Sequence, residues 1–143
     1  MNTFESNLQS IIAQNPILGA RLLGVEENKR FEVFQDPKDT LNVNLFDHNH
    51  NTVLYQDIPQ QEILQKVDTF EAEFNRYPIL FIYGVANGLF VKLLLQNANH
   101  AHIFIIEPEI ELLYIAFNLI DFSQEITTKR LFFFLNDEMD FVK

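Results

Sequence analysis

The 143-residue chain contains no cysteine. That excludes a disulfide framework and any thiolate metal centre. Positive charge is scarce as well: ten Lys and Arg stand against twenty Asp and Glu, for a formal net charge of −10. No basic stripe gathers along the chain, so neither a nucleic-acid backbone nor an anionic membrane surface is an expected partner. Long apolar runs are missing too. The longest, such as "LLYIAFNLI" (112–120), are too short to span a bilayer. The opening "MNTFESNLQS" has neither a basic segment nor a long apolar one, so it does not read as a secretory signal. The chain also lacks a G-x-S-x-G elbow, a P-loop, an H-E-x-x-H pair and a Ser/His/acid constellation. No catalytic residue, metal ligand or cofactor is therefore assigned, and a soluble, cytoplasmic protein is expected.

What the chain does have is enough apolar material for one core, including fifteen Phe. Residues 3–14 read as a helix with Phe4, Leu8, Ile11 and Ile12 on one face, Thr3 as its cap and Asn15-Pro16 as its stop. A further turn or short helix follows at 17–23. The period then changes. "RFEVFQ" (30–35), "LNVNLF" (41–46) and "TVLYQ" (52–56) alternate as strands. Phe31, Val33 and Gln35 share one side of the first, and Leu41, Val43 and Leu45 one side of the second. The turn-rich "DPKD" and "DHNHN" between them predict a small antiparallel meander. Residues 59–77 predict a helix opened by Pro59 and ended by Pro78, with Ile63, Val67, Phe70 and Phe74 facing inward.

From 79 onward the strands no longer alternate. "ILFIY" (79–83), "IFIIE" (103–107) and "RLFFFLND" (130–137) are continuous apolar runs, with helical stretches at 88–98 and 109–121 between them. Such strands are expected to be buried on both faces of a parallel sheet. The prediction is an α/β fold: a small antiparallel β-meander plus helix over 1–78, then a Rossmann-like βαβαβ half over 79–143. A three-stranded half leaves buried-type strands with exposed edges, and "EMDFVK" (138–143) opens where another helix could begin. The whole is therefore expected to be one domain of a longer protein.

The chemistry-bearing stretch is "FIYGVANGLF" (81–90), a strand running through two glycines into a helix. That arrangement gathers N–H groups at a helix start, which attracts phosphate. Glu107, at the end of the next strand, stands where dinucleotide and S-adenosylmethionine folds place an acid for ribose hydroxyls. Gly84, Asn87, Gly88 and Glu107 are accordingly the candidate ligand-binding residues. The spacing G-x-x-x-G and the bulky Phe90 point the other way, to a turn that only joins strand to helix. Glu109 and Glu111 suit the first turn of the next helix through its dipole. His48 and His50, and His100 and His102, read as surface pairs without the partners of a zinc site.

The stretch 83–122 is similar to the motility accessory factor (Maf) proteins, the flagellin glycosyltransferases of polar-flagellated bacteria. The likeness rests on Tyr83-Gly84-x-x-Asn87-Gly88 after one strand and on Glu107-Pro108-Glu109 after the next, with "LLYIAFNLIDFS" (112–123) adding to it. Ala86 departs from it, since many members carry Gly there. The resemblance implies an N-terminal domain, spanning 1–143, of a transferase that moves pseudaminic or legionaminic acid from a CMP-sugar to flagellin Ser or Thr. It implies flagellin and a C-terminal, sialyltransferase-like catalytic domain as partners, and leaves a homo-oligomer open. No catalytic residue carries over, and the chain alone is expected to be inactive. The alternative is a nucleotide- or S-adenosylmethionine-binding Rossmann-like module.

Overall fold

The computed structural model describes residues 2–25 and 30–136 of the chain. The helix expected from "EMDFVK", Asp137 at the end of the last predicted strand, and the side chain of Leu41 lie outside the described residues. Helix α1 (Thr3–Gln14) spans the predicted residues, but its cap differs. Asn2, not Thr3, is its cap: the Asn2 side chain accepts the Glu5 N–H and Glu5 reaches back to the Asn2 N–H. Asn15 is a joint as well as a stop. Its own N–H closes α1 on Ile11, while its side chain accepts the Leu18 N–H and opens α2 (Pro16–Leu23). Leu8, Ile11, Leu18 and Leu22 point into the core, but Ile12 is 42 % exposed, so the apolar face of α1 is narrower than its sequence suggests.

Strands β1 (Phe31–Asp36), β2 (Asp39–Asp47) and β3 (Thr52–Val53) form the antiparallel meander in that order. β3 is shorter than the predicted 52–56 because only Thr52 and Val53 pair with β2. β1 buries Phe31 alone; Val33 and Gln35 remain exposed. The reason is partnership. Phe31, Val43 and Leu45 rest on Ile115 of a later helix, and the rest of β1 runs past that support. Helix α3 (Pro59–Phe74) stops short of 77. Only Ile63 of its predicted inward face is fully buried, and Val67, Phe70 and Phe74 are half-buried.

The second half follows the predicted β-α-β-α-β order. Strands β4 (Ile79–Tyr83), β5 (His102–Glu107) and β6 (Leu131–Leu135) pair in parallel, Phe81 with Phe104 and Phe104 with Phe132. Helix α4 (Leu89–Leu94) is shorter than 88–98, and α5 (Ile110–Leu119) is followed by α6 (Ser123–Thr127), a short polar helix without a visible periodic signal. The sheet order β4-β5-β6 steps in one direction, so right-handed crossovers put their helices on one face. On that face Leu80, Ile103, Ile105, Leu131, Phe133 and Leu135 pack against α1, α2, α4, α5 and α6. The expectation of strands buried on both faces is thus met on one face only.

One buried polar side chain locks this packing. Asn7 of α1 is fully buried and donates to the carbonyls of Phe117 (2.9 Å) and Ile120 (2.7 Å) while accepting the Phe122 N–H (2.6 Å). It satisfies the carbonyls that the end of α5 leaves without helical partners. No helix among the described residues is long and apolar enough to cross a membrane.

Candidate functional site

The turn between β4 and α4 is built from three left-handed residues: Gly84 (φ 97°), Ala86 (φ 52°) and Gly88 (φ 92°). The two glycines serve different ends. A Cβ on Gly84 would meet nothing within 4 Å, because that side of the turn is open. A Cβ on Gly88 would lie 3.2 Å from Ile120 Cδ1 and from Phe122 Cζ, so what approaches Gly88 closely is the protein's own core.

The backbone donors of the turn are largely engaged. Gly84 N–H donates to the Ile106 carbonyl (2.8 Å), Gly88 N–H to that of Val85 (2.9 Å), and Leu89 N–H to the Asn87 side chain (3.0 Å). Val85 N–H donates to Glu107 Oε1 at 2.8 Å, and Glu109 N–H to Glu107 Oε2 at 2.9 Å. Glu107 therefore clasps the two loops at the ends of β4 and β5. It is only 1 % exposed because it shares the covered face with Ile103 and Ile105. Burial pushes its carboxyl above the ordinary value, and the two N–H bonds pull it partly back. Asn87, also buried, donates to the Val43 carbonyl (2.8 Å) and ties the turn to the meander.

Beside this turn lies a cavity of about 370 Å³ between the meander and the carboxyl ends of β4 and β5. Of the four candidate residues, Gly84 and Glu107 line it; Asn87 and Gly88 do not. Phe90 does not obstruct it either: its ring packs edge-on against Phe70, 5.8 Å away. The residues that sequence reasoning missed are Arg30 and Asp47. Arg30 forms a fork on Asp47, 3.1 Å for each bond, and also reaches Glu109 at 2.8 Å. The guanidinium holds the Asp47 carboxyl well below the usual carboxylate range, and the His50 ring adds to the effect at 2.8 Å. Glu109 is the cap position of α5 and turns outward to Arg30 rather than bonding the helix start; Glu111 alone of the two lies in the first turn. Three carboxylates and one paired guanidinium make the lining acidic, which disfavours a phosphate and suits hydroxyl or amine donors.

The histidines divide. His48 and His50 lie on an exposed turn beside Glu32 and Asp47. His102 is exposed as read, but His100 is fully buried, contrary to a surface pair. Its Nδ1 lies 2.7 Å from the Tyr77 carbonyl and its Nε2 2.5 Å from Glu71, so the ring fastens the end of α3 to the loop before β5.

Compared with known proteins, the chain matches no family model and no curated sequence. Among solved structures it is similar to a Maf glycosyltransferase from Magnetospirillum magneticum AMB-1, with a TM-score of 0.68 at 15 % sequence identity. The match covers 93 % of this chain and 27 % of that one. The chain thus has a Maf-like fold and spans little more than a quarter of the length of the transferase it matches.

Proposed function

We propose that this chain is the N-terminal accessory domain of a Maf-type glycosyltransferase that moves a nonulosonic acid from its CMP-activated donor to Ser or Thr of flagellin in the cytoplasm. The observation that carries the reading is the fold likeness across 93 % of the chain. The two resembling motifs support it, because they meet in space: Glu107 of one accepts the N–H of Val85 inside the other. In this reading the domain supports acceptor recognition or assembly, and transfer takes place elsewhere in the protein. Deleting the gene is expected to lower the mass of flagellin by its missing sugars, and the 143-residue chain alone is expected to transfer none. Unchanged flagellin mass in the deletion strain, or turnover of a CMP-nonulosonate by this chain alone, overturns the reading.

A second reading, a nucleotide- or S-adenosylmethionine-binding module, is favoured by one feature. The cavity lies over Gly84 at the carboxyl ends of the parallel strands, where open α/β sheets bind ligands. Calorimetric titration with CMP, NAD and S-adenosylmethionine separates the two. Micromolar binding weakened by Glu107→Ala supports the module, and absence of heat with all three removes it.

A further inference from the structure

The parallel sheet carries two apolar faces, and the described chain covers one. Register places three rows of side chains on the other. Ile79 stands beside His102; Phe81, Phe104 and Phe132 form the middle row; Tyr83, Ile106 and Phe134 form the third. The middle row is stacked ring on ring, 4.9 Å from Phe81 to Phe104 and 4.7 Å from Phe104 to Phe132. Ile79, Phe81 and Tyr83 are 50, 72 and 67 % exposed. This is not the composition of a solvated face. A sheet that meets water alternates apolar with polar residues, and here His102 is the one polar member of the rows.

Topology states what fits there. The order β4-β5-β6 uses up one direction of travel, and its crossover helices occupy the covered face. A further strand added beside β6 would bring one more helix to that same face. A chain that instead returns to the free edge of β4 reverses direction, and its right-handed crossover must pass over the open face. Only that second path covers the aromatic rows with a helix. The structurally similar transferase is a much longer chain, of which this fold accounts for 27 %.

We propose that the open face is the docking surface for a helix-bearing segment of the same polypeptide, which leaves β6, crosses the Phe81–Phe104–Phe132 row and adds a strand beside β4. The proposal rests on the part of the preceding reading that makes this chain one domain of a longer protein, and not on its sugar chemistry. A second copy packed sheet to sheet is the rival occupant. It is disfavoured because parallel sheets are covered by helices rather than by other parallel sheets.

Hydroxyl-radical footprinting tests this on two proteins: the 143-residue chain and the product of the same reading frame followed to its stop codon. Phe81 and Tyr83 are expected to label strongly in the short chain and to lose that labelling in the longer product. Phe133, on the covered face, stays unlabelled in both. Phe81→Lys is expected to leave the melting temperature of the short chain unchanged and to lower that of the longer product. Equal labelling in both proteins, or a reading frame that ends at Lys143, overturns the proposal. So does protection in the short chain that rises with its concentration and disappears in Phe81→Lys, which would assign the face to a second copy. The readout is independent of glycosylation: protected Phe81 with unchanged flagellin mass would leave this proposal standing and remove the transferase reading.

Discussion

In the βαβαβ half, Phe117, Phe122 and Phe133 meet with none of the three exposed; their rings lie 5.1 to 6.3 Å apart. In the meander, Val33 of β1 is 41 % exposed although it shares a side with buried Phe31, and Phe34 on the opposite side is 52 % exposed. The difference lies in what each sheet has to lean on. The covered face of the parallel sheet has five helices against it. The meander rests on one side of α5 through Phe31, Val43 and Leu45, three side chains at about 1.5–3 kcal/mol each. It is held instead by polar ties: Arg30 to Asp47 and Glu109, Asn87 to Val43, and Asn44, whose amide bonds both the N–H and the carbonyl of Tyr55. Apolar sequence alone does not make a core; a second layer does.

The comparison breaks most directly at Phe133. Phe133→Ala removes the ring on which Phe117 and Phe122 both close, at 5.1 and 5.7 Å. Urea unfolding is expected to report a loss of about 3–5 kcal/mol, felt by both halves. A loss below about 1 kcal/mol would mean that the core lies elsewhere.

The next effect is confined to the meander. Arg30→Met removes the guanidinium that lies over the Phe31 ring, and with it the fork on Asp47 and the bond to Glu109. Hydrogen exchange of amides in 31–47 is expected to speed several-fold, with those of β5 unchanged. Equal acceleration in β5 would show one cooperative unit in place of a firm half and a lighter one. Acidity sharpens the point. The Asp47 carboxyl is depressed in the folded chain, so its contribution is present above the ordinary carboxylate range and lost only as pH falls toward the depressed value. Glu107 is raised, so its contribution has the opposite sign: present below the ordinary value of 4.5 and lost as pH rises through the raised one. In mild acid the Arg30–Asp47 tie therefore persists.

The parallel half was the legible part of the fold. Unbroken apolar runs such as "ILFIY" and "IFIIE" mark strands, and their alternation with helical stretches leaves few topologies. Gly84 and Glu107 were legible for the same reason, since a βαβ unit brings consecutive strand ends together. What escaped depends on distant partners. Asn7 finds the end of α5 more than a hundred residues away, and Arg30 finds Glu109 across the two halves. Neither has a local pattern. The Arg30–Asp47 pair follows only once the hairpin register sets Phe31 against Asp47. α6 and the early end of α4 escaped because short helices are decided by packing rather than period.

The smallest effect lies inside the turn, where the open and closed sides are two residues apart. Ala86 holds φ 52°, a left-handed conformation that costs a residue with a Cβ about 1–2 kcal/mol. Ala86→Gly relieves that strain. It also widens the unfolded ensemble, which costs about 0.4–1 kcal/mol. It removes a half-buried methyl from the Tyr55 and Ile63 cluster, and half of the roughly 0.8 kcal/mol assigned to a buried carbon is lost with it. The balance is a gain of a few tenths of a kcal/mol, read as a slightly higher urea midpoint. Gly88→Ala makes the converse change on the closed side. It places a Cβ at φ 92° and 3.2 Å from both Ile120 and Phe122, so strain and crowding add, and a loss above about 1 kcal/mol is expected. Opposite signs at 86 and 88 would establish that the turn faces a cavity on one side and the core on the other. If Ala86→Gly instead destabilises by more than about 1 kcal/mol, the methyl contacts outweigh the backbone strain, and the cavity side is packed rather than open.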